Sequence, residues 1–321
     1  MTDSAQPRRP LPARSQALTP GTVVAAFGRH FEVRTADGLL RCHTRGKKND
    51  YACGDRVDIA PAGDGLGVIE ARHPRHNLLW RSDAFRQKLL AANLSRIVIV
   101  TATEPGFSDV LVSRCLVAAE SENIPALIAL NKVDLTANLP TARERLAIFT
   151  ALGYPVVEIE ALLGAEALEP WLRNERVLLV GQSGMGKSTL INALVPFATA
   201  SVGEISTALG SGSHTTTLTR LYPRGEGWLI DSPGLQMFGL AHLDPGTLET
   251  AFIEFRPHLG QCRFRDCRHD AEPGCALRAA VEAGTLSARR FEHYHLIRDE
   301  IVAARRANQG GPQPKPTKTF I

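Results

Sequence analysis

Short apolar runs separated by polar turns fill the first part of the chain. Between residues 21 and 71 these runs show no helical period, and turn sequences such as Asp37-Gly38 break them. Five such runs in roughly 50 residues predict a small β-barrel. A five-stranded OB-type barrel fits the pattern, and so does an SH3-like barrel. The predicted strands are residues 21–27, 30–35, 39–44, 56–60 and 67–71.

A different pattern begins after residue 92, where continuous apolar runs alternate with helical stretches. Continuous apolar runs are typical of strands that are buried on both faces. Their alternation with helices predicts a mostly parallel sheet covered by helices on both sides. The predicted strands are residues 97–100, 126–130, 156–159, 177–180 and 228–230, and the predicted helices are residues 109–122, 141–152 and 188–194.

Beyond residue 240 the pattern predicts no further strands and indicates helices around a group of cysteines. Both ends of the chain are rich in Pro and polar residues and have no apolar period. Such segments bury too little apolar surface to fold, so both ends are predicted to be disordered.

Composition narrows the class of protein. The chain has 321 residues, of which 44% are hydrophobic, and this suits two or three globular domains. No run approaches the roughly 20 apolar residues of a membrane span, and the first residues lack the apolar block of a secretory signal. We therefore expect a soluble, cytoplasmic protein with no membrane partner.

Positive charge is concentrated in the N-terminal part of the chain. Residues 1–92 contain 15 Lys and Arg against 9 Asp and Glu, whereas the whole chain has a net charge of +4. A basic excess of this kind either serves solubility alone or attracts the phosphate backbone of a nucleic acid.

A glycine-rich run directly follows the predicted strand at 177–180 and matches G-x-x-x-x-G-K-[ST]. Its glycines let the backbone wrap around a phosphate so that N–H groups point inward. Lys187 is predicted to reach the β- and γ-phosphates, and Ser188 to ligate Mg²⁺. The predicted nucleotide-binding residues of this P-loop are Gly181, Gln182, Ser183, Gly184, Met185, Gly186, Lys187, Ser188 and Thr189.

A second nucleotide motif, Asn131-Lys132-Val133-Asp134, follows the predicted strand at 126–130, at the end where α/β sheets bind ligands. A carboxylate only accepts hydrogen bonds, so Asp134 can pair with the ring N–H and the exocyclic amine of guanine. Adenine offers an acceptor in place of that ring N–H and would be rejected. Asn131 is predicted to serve the other edge of the base, and the stem of Lys132 to lie along its face. Beside the P-loop, this motif predicts GTP and GDP as ligands.

The sequence Asp231-Ser232-Pro233-Gly234 follows the predicted strand at 228–230 and fits D-x-x-G. Asp231 is predicted to hold Mg²⁺ through water, and the Gly234 N–H to contact the γ-phosphate. The run His214-Thr215-Thr216-Thr217 supplies a threonine that completes the Mg²⁺ ligands in the GTP state. Thr216 is favoured for this role, although the sequence does not decide among the three threonines.

The group that orients the attacking water is not evident from the motifs. Ras-type GTPases use a glutamine for this purpose, but the residue after Gly234 is Leu235. Slow intrinsic hydrolysis is therefore predicted. His214 is the candidate catalytic residue that would position the water.

The motifs occur in a rotated order. GTPases normally carry the P-loop first and N-K-x-D late, whereas here N-K-x-D stands at residue 131 and the P-loop at residue 181. Residues 156–161 occupy the place of the usual S-A loop, with Glu160 where serine is common. The order predicts a circularly permuted GTPase domain.

Three cysteines and one histidine are grouped within 14 residues near the C-terminal end. Clustered thiols in a cytoplasmic chain favour metal binding over disulfides. Cys₃His is a complete tetrahedral set that leaves no position for substrate, and it is typical of structural zinc. We therefore expect one structural zinc ion per chain, held by Cys262, Cys267, His269 and Cys275.

The combination of a small barrel, a permuted GTPase and a Cys₃His region resembles the bacterial ribosome-small-subunit-dependent GTPase A family (RsgA/YjeQ). The resemblance covers about residues 20–300 and rests on Ala91-Ala92-Asn93, the nucleotide motifs, His214 with its threonines, and the cysteine spacing. It implies a GTPase that acts late in maturation of the 30S subunit and is stimulated by that subunit. It also implies a hydrophobic residue after D-x-x-G, as Leu235 is here, and a histidine at position 214.

These observations together predict a multidomain protein: a disordered basic arm at 1–19, an OB-type barrel at 20–76, a circularly permuted α/β P-loop GTPase domain at 77–240, a helical zinc-binding domain at 241–307 and a disordered tail at 308–321. The leading interpretation is a monomeric GTPase that binds 16S rRNA on the 30S subunit and does not bind DNA. The alternative is a non-ribosomal regulatory GTPase whose flanking domains bind a protein partner. A GTP-dependent nucleotidyl-transfer or metal-handling enzyme is disfavoured by the closed Cys₃His set.

Overall fold

Strand pairing near the N-terminal end closes a five-stranded barrel. The computed structural model describes residues 17–46, 50–82, 87–195, 219–232 and 239–309. The first strand pairs antiparallel with the second and the fourth, and the third pairs parallel with the fifth. This closure confirms the prediction of an OB-type barrel. Its strands are β1 (Thr19–Phe27), β2 (His30–Thr35), β3 (Gly38–Thr44), β4 (Arg56–Gly63) and β5 (Leu66–Arg72).

The barrel has its own small core, formed by the side chains that alternate inward along the strands. Seven of them are almost completely buried, and Tyr51 and Leu40 pack against this group. The buried set consists of Val23, Phe31, Val33, Cys42, Val57, Ile59 and Ile69.

A hairpin of β6 (Leu78–Ser82) and β7 (Gln87–Ala92) lies between the barrel and the central domain. The sequence pattern does not predict this hairpin, because its strands are short and mix apolar with charged residues. Ser82 connects the hairpin to a later segment: its N–H donates to the Gly239 carbonyl at 2.9 Å, and its Oγ lies 2.8 Å from His242 Nδ1.

The central domain is built on a mostly parallel sheet, as predicted. Its strands are β8 (Arg96–Ala102), β9 (Ala126–Asn131), β10 (Val156–Glu158), β11 (Arg176–Val180), β12 (Arg220–Arg224) and β13 (Gly227–Asp231). The spatial order is β10-β9-β8-β11-β13-β12, and only β12 runs antiparallel to its neighbour β13. All the nucleotide motifs within the described ranges therefore follow the carboxyl ends of strands that lie side by side.

The barrel and the central sheet are joined directly. Strand β1 pairs with β12 at Ala25 and Arg220, so the two sheets form one continuous ladder. Gly54 approaches the carbonyl of Ala92 so closely, at φ +91°, that a side-chain Cβ would lie 2.2 Å from it. The Asn93 amide donates to the Gly54 carbonyl at 2.9 Å and holds this close approach.

Helices flank the central sheet and form most of the C-terminal region. No helix in the described part of the chain is long and apolar enough to cross a membrane. The α-helices are α1 (Asp109–Ser121), α2 (Leu139–Thr150), α3 (Glu169–Leu172), α4 (Lys187–Leu194), α5 (Pro245–Ala251), α6 (Ala276–Glu282) and α7 (Ala288–Gln309). Short 3₁₀ segments occur at Thr136–Asn138, Glu166–Leu168 and Ile253–His258.

The C-terminal helices share one hydrophobic core with the central domain. Aromatic rings fill the space among these helices, with Phe252 stacked on Phe255 at 5.0 Å between ring centroids and Tyr294 edge-on to both. The helical region is therefore packed against α1 of the central domain, and contacts between α1 and both α5 and α7 confirm this.

Candidate nucleotide-binding site and metal cluster

The P-loop leaves strand β11 and enters helix α4, and two of its glycines are required by close approaches. At Gly181, with φ +153°, an added Cβ would lie 2.3 Å from the carbonyl oxygen of Val100. At Gly186, with φ +89°, it would lie 2.2 Å from the side-chain nitrogen of Asn131. Any larger residue at either position would push the loop away from the neighbouring strands.

Lys187 is buried inside this loop, with only 8% of its surface exposed. Its Nζ donates to the carbonyl oxygens of Gly181 at 2.8 Å and Gln182 at 2.7 Å. Burial lowers the pKa of Lys187, and the nearby carboxylate of Asp231 opposes that change. The ammonium group thus lies within the loop that the sequence predicts to surround phosphate.

Asn131, at the end of β9, connects three loops through one side-chain amide. Its Nδ2 donates to the carbonyl of Met185 in the P-loop at 3.0 Å. Its Oδ1 accepts from the backbone N–H of Ala161 at 3.0 Å. The side chain is 2% exposed, so the N-K-V-D loop, the loop after β10 and the P-loop are held together as one pocket.

Lys132 crosses from the N-K-V-D loop to the P-loop. Its Nζ donates to the carbonyl oxygens of Glu104 at 2.7 Å and Gly184 at 2.9 Å. Its backbone has φ +61°, in the left-handed region that residues other than glycine seldom adopt. Val133 packs against the core, and the Asp134 side chain is exposed at the rim of the pocket.

Two polar contacts in the pocket involve residues that sequence reasoning missed. The Thr103 hydroxyl donates to the carbonyl of Lys132 at 2.6 Å. The Gln182 side-chain oxygen accepts from the backbone N–H of Ser108, the residue that caps helix α1, at 2.7 Å. Thr103 directly follows β8, whose neighbours β9 and β11 both end in nucleotide motifs. The same rule about carboxyl ends of parallel strands therefore indicates this segment too.

Asp231 ends strand β13, beside the P-loop strand. Burial raises the pKa of its carboxyl group to about 6, and the Lys187 ammonium counteracts this. Within the described residues no hydrogen-bond donor reaches this carboxylate, whereas Ser188 is exposed at the start of α4. A half-buried carboxylate and a hydroxyl are oxygen donors of the kind that Mg²⁺ prefers, so the residues present fit a bound Mg²⁺ ion.

The remaining predicted site residues lie outside the described residues. They are His214, Thr215, Thr216, Thr217 and Gly234, and Leu235 is outside the described residues as well.

The cysteine cluster brings four candidate metal ligands together. The ligand atoms of Cys262, Cys267, His269 and Cys275 all lie within 4.8 Å of one another. His269 Nδ1 is 3.6 Å from the sulfurs of Cys262 and Cys267 and 3.3 Å from that of Cys275. Tetrahedral zinc with Zn–S near 2.3 Å and Zn–N near 2.0 Å requires a nitrogen–sulfur separation of about 3.5 Å. The cluster therefore has the donor set and the spacing of a four-coordinate metal site.

The imidazole of His269 is held from outside the cluster as well. Its Nε2 lies 3.7 Å from a carboxylate oxygen of Glu249, which also accepts from the Tyr294 hydroxyl at 3.3 Å. A carboxylate behind a metal-binding histidine is a common arrangement that orients the ring. His269 adopts φ +62°, which is uncommon for histidine and places its ring among the three thiols.

The fold and the site define a circularly permuted P-loop GTPase: the P-loop, the N-K-V-D loop and Asp231 meet at one sheet edge, although N-K-V-D precedes the P-loop in the chain. A family model described as RsgA GTPase matches residues 72–241. The chain belongs to the RsgA GTPase family, and the resemblance noted from the sequence is confirmed.

Relatives with assigned names support the same family. The small ribosomal subunit biogenesis GTPase RsgA of Nitrosomonas europaea is 51% identical over 282 residues, which cover 86% of this chain and 90% of that protein. The protein of the same name from Burkholderia pseudomallei is 51% identical over 297 residues, covering 90% and 94%.

Solved structures agree with the architecture. YjeQ from Thermotoga maritima is 30% identical with a TM-score of 0.69, covering 89% of this chain and 99% of that one. YloQ, described as a circularly permuted GTPase, has a TM-score of 0.64 over 95% of this chain and 100% of that one. At 23% identity, the second match supports the fold alone.

Proposed function

We propose that this GTPase acts in late maturation of the small ribosomal subunit, binding 16S rRNA on the 30S particle, which stimulates hydrolysis of GTP to GDP and phosphate. The observation that carries the proposal is that the Asn131 side chain holds the N-K-V-D loop and the P-loop together in one pocket. The names of relatives about half identical to this chain supply the ribosomal context. The proposal also includes that the protein is cytoplasmic and monomeric.

Within this proposal each motif has a separate task. The P-loop from Gly181 to Thr189 surrounds the phosphates, with the Lys187 ammonium against the β- and γ-oxygens. Asn131, Lys132, Val133 and Asp134 bind guanine, and the Asp134 carboxylate accepts from its two N–H groups.

Magnesium and the attacking water occupy the γ-phosphate side of the pocket in this proposal. Ser188, Thr216 and Asp231 hold Mg²⁺, which when bound neutralises charge on the phosphate oxygens. The Gly234 N–H contacts the γ-phosphate. His214 positions the water, because Leu235 has no polar group for that role.

The C-terminal cluster is proposed to hold one structural zinc ion, bound by the four residues Cys262, Cys267, His269 and Cys275. Arg263, Arg265 and Arg268 lie next to these ligands in the chain and would face phosphates of the RNA, and the barrel would be a second contact.

The proposal also includes the domain limits: the barrel spans residues 20–76, the GTPase domain residues 77–240 and the zinc-binding domain residues 241–307.

GTP turnover of the purified protein, measured alone and with 30S subunits, 50S subunits or tRNA, tests the proposal. Strong stimulation by 30S subunits alone is expected. Binding to 30S subunits is expected to weaken steeply as salt rises, because neutralised phosphates release counterions. Equal, slow turnover under every condition would leave the GTPase assignment intact and refute the ribosomal one.

A further inference from the structure

We propose that Thr103 is a positioning residue for guanine selectivity, an inference that rests on the proposed role of residues 131–134 in binding the base. Thr103 follows strand β8 directly and is 4% exposed. Its hydroxyl and its backbone N–H join it to the N-K-V-D loop.

Two hydrogen bonds join Thr103 to the start of the loop. The Thr103 Oγ1 donates to the Lys132 carbonyl at 2.6 Å, a short, partly buried bond. The Thr103 backbone N–H donates to the Asn131 carbonyl at 3.2 Å. The side-chain bond therefore fixes the peptide group that connects Lys132 to Val133.

That peptide group needs an external restraint. Lys132 has φ +61°, and a residue other than glycine keeps this backbone conformation only where surrounding contacts hold it in place. The Lys132 ammonium is already held by the Glu104 and Gly184 carbonyls. Thr103 supplies the restraint at the backbone end of the same residue.

The position of Asp134 depends on this restraint, because its carboxylate lies two residues beyond the held carbonyl. Binding groups must keep their geometry within about half an ångström for full selectivity. Loss of the Thr103 hydroxyl would leave the Lys132 carbonyl without its buried donor and let the loop relax. The pairing of Asp134 with the guanine amine would then weaken, while the phosphate contacts of the P-loop stay unchanged.

The same strand offers a matched control. The Thr101 hydroxyl, also buried at 2% exposure, donates to the Ala129 carbonyl on β9 at 3.1 Å. Thr101→Val removes a similar hydroxyl-to-carbonyl bond from the sheet and leaves the N-K-V-D loop untouched. A bond that only stabilised the fold would affect nucleotide binding to the same extent at both positions.

The experiment measures dissociation constants of GDP, IDP and ADP by isothermal titration calorimetry. IDP lacks the exocyclic amine from which Asp134 would accept a hydrogen bond. The ratio of the IDP to the GDP dissociation constant therefore measures how well the loop positions Asp134. Thr103→Val is expected to weaken GDP binding about tenfold and to reduce this ratio. Thr103→Ser restores both values, and Thr101→Val keeps the wild-type ratio. At saturating GTP, turnover by Thr103→Val stays near the wild-type rate, so the defect is in KM.

Other outcomes separate the two levels of the proposal. A wild-type protein that binds GDP, IDP and ADP equally would overturn the base-binding role of residues 131–134 itself. Wild-type selectivity that persists in Thr103→Val, with only a lower melting temperature, would overturn the role of Thr103. Thr103→Ala replaces the valine variant if that variant does not fold, and the GDP dissociation constant and the IDP-to-GDP ratio decide as before.

Discussion

The Arg290 guanidinium on α7 donates to the Ser113 hydroxyl oxygen on α1 at 2.7 Å, so a charged side chain of the C-terminal region ends inside the central domain. The same Ser113 oxygen lies 2.8 Å from His293 Nδ1. While that oxygen accepts from Arg290, its O–H can donate to an imidazole whose Nδ1 carries no proton. We call Ser113, Glu254, Arg290 and His293 the polar junction.

Replacing Arg290 should destabilise the protein strongly. Its side chain is fully buried, pairs with the Glu254 carboxylate at 2.6 Å and lies over the Phe252 ring at 4.4 Å. Arg290→Met leaves the buried Glu254 carboxylate without a partner, which typically costs about 3 to 5 kcal/mol. A lower urea midpoint and a lower melting temperature are the expected results.

An exposed ion pair provides the control for this variant. Arg143 pairs with Glu158 at 2.7 Å, with 57% and 35% of the two side chains exposed. Arg143→Met removes an exposed surface pair, which contributes little to stability because water screens it. Similar losses of stability in Arg290→Met and Arg143→Met would refute the role given to the polar junction.

The polar junction should also make stability depend on pH. Burial, reinforced by the nearby Arg290, Arg289 and Arg114 guanidinium groups, lowers the pKa of His293 to about 4. The unfolded histidine titrates near 6.5. Between pH 6.5 and pH 4 the unfolded chain therefore binds a proton that the folded chain does not. Stability from this group is complete above pH 6.5 and falls as pH decreases through that window.

The histidine's share is measured as a difference between variants, since other groups titrate in the same range. His293→Asn keeps an acceptor for the Ser113 hydroxyl and removes the titration. From pH 7 to pH 5 the wild type should lose about 2 kcal/mol more of unfolding free energy than this variant. Parallel stability curves for the two proteins would show that His293 is not held neutral.

Strong local patterns made much of the fold predictable. The apolar run at 126–130 is a strand that ends at Asn131, and the run at 177–180 leads directly into the P-loop. Each run is buried on both faces, so its composition alone distinguishes it from the amphipathic surroundings. The Cys₃His set was equally readable, because tetrahedral metal sites restrict both the type and the spacing of their ligands.

Contacts between distant segments could not be predicted from local sequence patterns. Arg290 and Ser113 are 177 residues apart, and either residue alone suits an exposed helix face. Thr103 has a similar limitation, since the rule on strand ends indicates its segment but does not identify Lys132 as its partner. Strand β12 (Arg220–Arg224) carries a proline and two arginines, so only its pairing with β13 and β1 identifies it as a strand.

Removal of one thiol should release the metal from the C-terminal cluster. Wild-type protein purified without chelator is expected to contain one zinc ion per chain by elemental analysis. Cys275→Ser should lose it and melt at a lower temperature, because binding of structural zinc contributes directly to folding. Cys115→Ala, which changes a buried cysteine of α1 outside the cluster, should retain the full metal content. Unchanged zinc in Cys275→Ser would place the metal elsewhere.

A change of one atom in Asp134 should exchange guanine for xanthine. In the proposed binding mode the wild-type carboxylate accepts from the ring N–H and the exocyclic amine of guanine. Xanthine carries a carbonyl in place of that amine, so the carboxylate meets an acceptor. In Asp134→Asn the amide N–H donates to this carbonyl, while its oxygen still accepts from the ring N–H. Asp134→Asn is therefore expected to bind GDP about a hundredfold more weakly than wild type and to prefer XDP.

The control for this exchange is another exposed aspartate. Asp244 accepts from the Thr247 N–H at 2.9 Å at the start of α5, and asparagine caps a helix equally well. Asp244→Asn should therefore bind GDP and XDP as the wild type does. The measurement is competition of GDP and XDP against a fluorescent guanine nucleotide. If Asp134→Asn still preferred GDP as strongly as wild type, the base would have to be read by another residue of the pocket, and Glu160 on the neighbouring loop would be tested next.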